Sequence, residues 1–285
     1  MKSVMVIFIL FNLGCSSDNG NYYVFHKNYC NPEETPKYDE KRVPILNDNG
    51  DPLFVEVEGG IIIIDTLADG IEKRRTIFKP CREMIYNAVF KSENKRLISN
   101  ANIKMMANGE RWQYQPDKQD EVVVQYEFSQ SDFDENLKHQ LNRGLVKPNW
   151  LGQVSEGVIE NVEEVWMHPF RMNQYNFTEV APFPQIRYPL EIGRMWTDGI
   201  GIQKGWGDWE NSSIQSEYEV KNKTTIRTEY GRIDDCWEIH SKSIFKLGET
   251  TFHYWFNEEL GFVKMDYTNY GNQTLQIELI EINEL

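Results

Sequence analysis

The sequence predicts a mainly β protein: an antiparallel sandwich or barrel-like sheet with one short helix packed on it. Three observations carry this expectation. Roughly the last hundred residues fall into short, alternating apolar-polar runs divided by turn residues, the pattern of a meander rather than of βαβ units. Upstream, runs rich in β-branched residues recur, led by four consecutive isoleucines at 61–64. Helix signals stand together at both ends of a segment only at Ser131 to Gly144.

The chain opens with Lys2, then an apolar stretch over residues 4–13 broken only by Asn12, then Gly14, Cys15 and a polar run from Ser16 to Asn21. A basic start, a short apolar run and a small residue before the cut describe a secretory signal peptide, residues 1–14. The run is well short of the roughly 20 residues a helix needs to span a bilayer. Leu13-Gly14-Cys15 resembles the lipobox of bacterial lipoproteins, departing from it at Asn12, where Leu is usual. The polar-acidic stretch behind Cys15 is similar to that of surface lipoproteins of Bacteroidetes-type bacteria. The resemblance implies acylation of Cys15, palmitate-type chains included, and anchorage in the cell envelope, at the outer membrane. Each buried CH₂ contributes about 0.8 kcal/mol, so two or three acyl chains anchor firmly where one does not.

The formal charge is −14, and −15 without residues 1–14, which carry only Lys2. So acidic a surface argues against nucleic acid, whose phosphates need Lys and Arg, and against peripheral binding to anionic lipid. Four cysteines are present. With Cys15 lipidated, Cys30 and Cys81 flank the first strands and can pair in an oxidising compartment, leaving Cys236 as a thiol.

From 15 to 52 the chain is polar and turn-rich, a lipidated tether; the body runs from 53 to 285, with a sub-boundary near 184–190. Residues 55–65 begin in alternation, and Gly59-Gly60 marks a bulge or tight turn before the isoleucines. Further strands are expected at 75–78, 85–91, 98–106 and 122–128. Ser131 serves as N-cap of the helix, Asp132, Asp134 and Glu135 crowd its first turn, and Lys138, His139 and Arg143 precede Gly144. That charge order complements the helix dipole. Strands follow at 193–202, 213–221, 224–230, 235–247, 250–257, 262–269 and 274–282. Turns are expected at Asn222-Lys223, Asp234-Asp235 and Tyr270-Gly271-Asn272. Phe252, Tyr254 and Phe256 share one face, as do Val263, Met265 and Tyr267.

Three stretches of this meander carry a second resemblance: Tyr188 to Trp196, Asp235 to Ile239, and Tyr254-Trp255-Phe256 with Gly261-Phe262-Val263-Lys264. They are similar to strands of uncharacterised bacterial lipoproteins that look like the open half-barrels of lipoprotein-localisation factors. The resemblance implies an open antiparallel half-barrel with a concave face.

Candidate chemistry is thin. His168 beside Pro169, with Arg171 three residues on and Glu163 and Glu164 before it, can supply an acid/base and an anion clamp. The competing reading is a strand stopped by Pro169, with Trp166 and Phe170 in the core and His168 at the rim. Cys236, Glu238 and His240 alternate as if on one strand face, with His253 on the next strand, part of a zinc-like donor set that reads better as outward polar residues. The glycine-rich stretch 199–209 carries Trp206 and Trp209, which suit contact with a ligand or partner, or fold back on the sheet. No phosphate loop, nucleophile elbow or metal-helix motif is present, and no cofactor is expected. The sequence favours a non-enzymatic envelope lipoprotein that binds an apolar or amphipathic ligand, or an envelope partner, through its β body. The alternatives are an envelope hydrolase at His168 and Arg171, and a passive surface lipoprotein whose concave side is filled by its own side chains.

Overall fold

A computed structural model describes residues 54–57, 60–63, 74, 76–115, 118–128, 151–202, 204 and 206–284. The signal segment, Cys15, Cys30 and the expected helix at 131–144 lie outside the described residues. Two short strands, β1 (Phe54–Val57) and β2 (Gly60–Ile63), pair as an antiparallel hairpin. Gly60, expected in a bulge or tight turn, is the first residue of β2 and pairs with Val57.

All other strands belong to one antiparallel sheet of twelve. In chain order they are β3 (Arg82–Lys91), β4 (Leu97–Arg111), β5 (Asp120–Tyr126), β6 (Gln153–Glu160), β7 (Glu164–Met167), β8 (Gln185–Arg187), β9 (Met195–Ile202), β10 (Ser212–Thr228), β11 (Gly231–Phe245), β12 (Gly248–Asn257), β13 (Gly261–Thr268) and β14 (Thr274–Glu284). Their spatial order is β8-β7-β6-β5-β4-β3-β14-β13-β12-β11-β10-β9. Two six-strand meanders thus meet where β14 pairs with β3, with Leu275 opposite Phe90 and Ile277 opposite Ala88. The two edge strands, β8 and β9, are consecutive in the chain. The sheet curls until they meet, and Trp196 Nε1 on β9 donates to Gln185 Oε1 on β8 at 3.2 Å. The antiparallel barrel-like sheet expected from the sequence is formed, and it is nearly closed.

The inward face follows strict alternation where strands are covered on one side only. Ile214, Ser216, Tyr218 and Val220 of β10 are buried, while Ser213, Gln215 and Glu217 are exposed. Phe252, Tyr254 and Phe256 of β12 point inward beside Val263, Met265 and Tyr267 of β13. Phe252 lies opposite Tyr267 in register, and their rings stack at 3.9 Å. Burying each such side chain contributes about 1.5–3 kcal/mol, which makes this aromatic wall a main source of stability.

Two expected turns are not turns. Asn222 and Lys223 pair with Glu238 and Trp237 inside one long β10-β11 ladder, and the chain reverses between Thr228 and Gly231 instead. The register shifts at Val220/Asn222 and Thr224/Ile226, and Asp235 takes a left-handed φ of 56°. Residues 221–227 are largely exposed on both faces, so polar turn-formers are tolerated within the strand. Residues 76–78, the described part of the strand expected at 75–78, form a bend. There, the carboxylate of Glu160 accepts the backbone N–H groups of Thr76, Ile77 and Phe78 at 2.8–3.1 Å, holding a bend in place of a ladder.

Candidate functional site

The segment singled out in the sequence, around His168 and Arg171, runs into the barrel. β7 pairs with β6, placing Val165 and Met167 opposite Glu160 and Val158. Pro169 lacks a backbone donor and ends that ladder. The chain then turns inward through Phe170, forms a 3₁₀ helix over Asn173–Val180, and reaches β8 through Pro182 and Pro184. Seven of the eight residues in this 3₁₀ helix are buried.

This connection touches the inward side of both meanders. Phe170 packs on Tyr86 of β3 with ring centroids 5.2 Å apart. Phe177 lies between Phe90 of β3 and Tyr267 of β13, at 5.6 and 6.2 Å. Gln174 donates to Ser99 of β4 at 3.2 Å, and Ser243 of β11 donates to Val180 O at 3.3 Å. Tyr218 of β10 donates to Phe183 O at 3.1 Å, and the Tyr254 hydroxyl of β12 donates to Gln185 O. The β7-β8 connection is therefore a plug, bound to strands on all sides of the barrel.

A buried charge cluster holds it. Arg171 donates through Nε and Nη2 to both carboxylate oxygens of Glu156 on β6, at 2.9 and 2.6 Å, and through Nη1 to Glu179 of the plug at 2.8 Å. All three side chains are at most 6% exposed. Burial alone would lower the Arg171 pKa, but the two carboxylates outweigh it and raise it. Burial pushes the Glu156 carboxyl up, against the pull of Arg171. The two interactions converge on a bidentate Arg-carboxylate fork, among the strongest polar contacts available.

His168 sits beside this cluster, its Nδ1 3.5 Å from Glu156 and 3.2 Å from Gly157 O. Its ring lies between Trp112 and Trp166, at 4.8 and 4.7 Å, with Phe183 at 6.0 Å. Burial, reinforced by the Arg171 charge, holds its pKa well below the usual histidine range, so the ring is neutral. The rim position expected for it is corrected: His168 is 2% exposed. The partners Glu156 and Glu179 were not picked out from the sequence. The one local signal was Glu156 standing at an inward position of the run Val154-Glu156-Val158.

The other candidates lie elsewhere. Trp209 is buried and donates to the Tyr270 hydroxyl at 2.9 Å; Trp206, half-buried, stacks beside it at 6.3 Å. Cys236 is buried inside the barrel, while Glu238 and His240 stay partly exposed. That difference in burial keeps the three from forming the one outward donor row expected of them. Cys81 precedes β3 with a left-handed φ of 67°.

No protein-family model matches the chain, and no curated protein matches it. Solved structures are similar to it at low identity. A protein classed as exported, with a YmcC-like fold, from Bacteroides fragilis is 11% identical, covering 75% of this chain and 99% of its own, with a TM-score of 0.44. A protein classed as a lipoprotein from Parabacteroides distasonis is 10% identical, covering 74% and 99%, with a TM-score of 0.41. A LolA superfamily protein from Nitrosomonas europaea is 8% identical, covering 77% and 90%, with a TM-score of 0.28.

Proposed function

We propose that this chain is a non-enzymatic lipoprotein of the cell envelope, exported by its first 14 residues and held at the outer membrane by acyl chains on Cys15. It acts through contact with an envelope partner rather than by carrying a ligand in its barrel. The observation behind this reading is the filled interior: an apolar guest would have to displace Phe170, Tyr175 and Phe177 and break the Glu156-Arg171-Glu179 cluster. In this reading His168 and Arg171 secure the plug. The guanidinium fork is already taken by two carboxylates, and the neutral imidazole is walled in by tryptophans. Partner contact has a natural place at β9, which among the described residues pairs only with β10. Exposed Ile192 and Met195 stand at one end of that edge and half-buried Trp206 at the other. An edge strand without a ladder partner beyond β10, flanked by apolar side chains, invites strand addition by an extended segment alongside its single side-chain contact to β8.

The test is native mass spectrometry on the mature chain, extracted in detergent from the membranes of a bacterium expressing it with its own signal segment. The expected mass is that of the protein plus its Cys15 acyl groups alone. A further molecule present in stoichiometric amount, and released on unfolding, would overturn the filled-interior reading and restore that of a carrier.

A further inference from the structure

The outer face of the second meander brings two histidines together. His240 of β11 lies directly opposite His253 of β12, and their imidazoles stack with centroids 3.9 Å apart and planes 8° from parallel. In the same row His240 faces Glu219 of β10, and His253 faces Asp266 of β13. Glu238 places Oε1 2.7 Å from His240 Nε2, with the two side chains 23% and 34% exposed. This contact engages Nε2 and leaves Nδ1 as the ring nitrogen open to another partner. A carboxylate gripping one ring nitrogen while the other meets a metal is the usual support of a histidine ligand.

We propose that His240 and His253 form a two-imidazole chelate for a borderline-soft divalent ion, copper(II) or zinc(II), with Glu238 as the outer support. Metal-nitrogen bonds of about 2.0–2.1 Å set two ligand nitrogens on one ion roughly 3 Å apart; the cross-strand pair reaches this when each partly exposed ring turns by roughly 45° out of the stack, so that both in-plane lone pairs converge on the ion. Imidazole donors suit copper and zinc over calcium or magnesium. Among the described residues no three donor side chains already stand as a cage, so water completes the coordination. Asp266, whose Oδ1 is buried without a hydrogen-bond partner, is the protein group placed by register to join it.

Copper(II) titration of the chelator-stripped mature chain tests this, read by quenching of tryptophan emission. Trp255, on β12 two residues from His253 and opposite Glu238, is the local reporter. One equivalent should bind and quench, and Glu238→Gln should weaken binding by about tenfold or more. The pair His240→Gln with His253→Gln should abolish that binding while the thermal midpoint stays put. His26, His139 and His168 remain in that double variant. Undiminished stoichiometric binding there, or no binding by the parent chain, overturns the proposal.

Discussion

Replacing Arg171 by Leu strikes the contact that seats the plug. The change removes three charge-assisted hydrogen bonds of 2.6–2.9 Å and leaves Glu156 and Glu179 facing each other, nearly unexposed. Taking one partner from a buried ion cluster costs about 3–5 kcal/mol, because the orphaned charge stays behind. For a body of this size each kcal/mol moves the midpoint by roughly 2–4 °C, so thermal unfolding should fall by roughly 6–20 °C. The pH dependence has a definite sign. Burial already raises the Glu156 carboxyl in the folded state, and Arg171 is the group opposing that rise. A group raised by folding contributes stability below its unfolded pKa, and this is lost as pH rises through the folded value. With Arg171 gone, the folded value climbs further. The Leu variant should therefore regain stability on acidification from neutral pH toward about 5. Circular-dichroism melts across that range provide the assay, with amide exchange of residues 170–180 as the local readout. A midpoint within about 2 °C of the parent at neutral pH, or a deficit that deepens on acidification, would refute the reasoning. Replacing Glu156, Arg171 and Glu179 together by apolar residues should be far milder than the single change, since no charge is then stranded.

Three further outcomes are expected. Gly157→Ala should destabilise by about 1–3 kcal/mol in denaturant titration, because a Cβ there would sit 1.8 Å from Gln119 Oε1 and 2.6 Å from the Trp112 ring. A neutral result would mean that the Trp112 loop yields freely. Cys15→Ala should release the protein from the membrane fraction and end incorporation of labelled palmitate; unchanged membrane binding would dismiss the lipid anchor. Alkylation of the exported protein without reductant should spare Cys30 and Cys81 and label both after reduction, as read by peptide mass. Labelling of Cys81 before reduction would exclude the disulfide.

The second meander and strands β3 to β5 of the first were legible, whereas the stretch leading through β7 to β8 was read only in part, for a physical reason. β9 to β14 are long and covered on one face, so Phe252-Tyr254-Phe256 and Val263-Met265-Tyr267 print their burial on the sequence as a period of two. β7 has four residues and β8 three, too few for a period to show, and both border a plug that buries their other side. Within β10 and β11, turn chemistry misled because Asn222, Lys223 and Asp235 occupy a ladder with solvent on both faces, where alternation carries no energetic signal. His168 and Arg171 stood out by residue type, yet the partners that define their role lie 8 to 15 residues away in sequence. Only the folded path of the β7-β8 connection brings them together.

That path follows from the size of the sheet. About eight strands close into a barrel that its own inward side chains can fill, whereas sixteen or more leave a channel. Twelve strands fall between, enclosing more space than Tyr218, Tyr254 and Tyr267 can occupy from the wall. The chain meets this by sending residues 169–184 through the interior on the way from β7 to β8. The same detour explains why β8 is so short: its neighbours in space are tyrosine hydroxyls from β10 and β12, which take the carbonyls of Phe183 and Gln185. Closure by side chains in place of a backbone ladder leaves β9 with an unpaired edge among the described residues. The device that fills the interior is thus also the one that keeps β8 from completing a backbone ladder with β9.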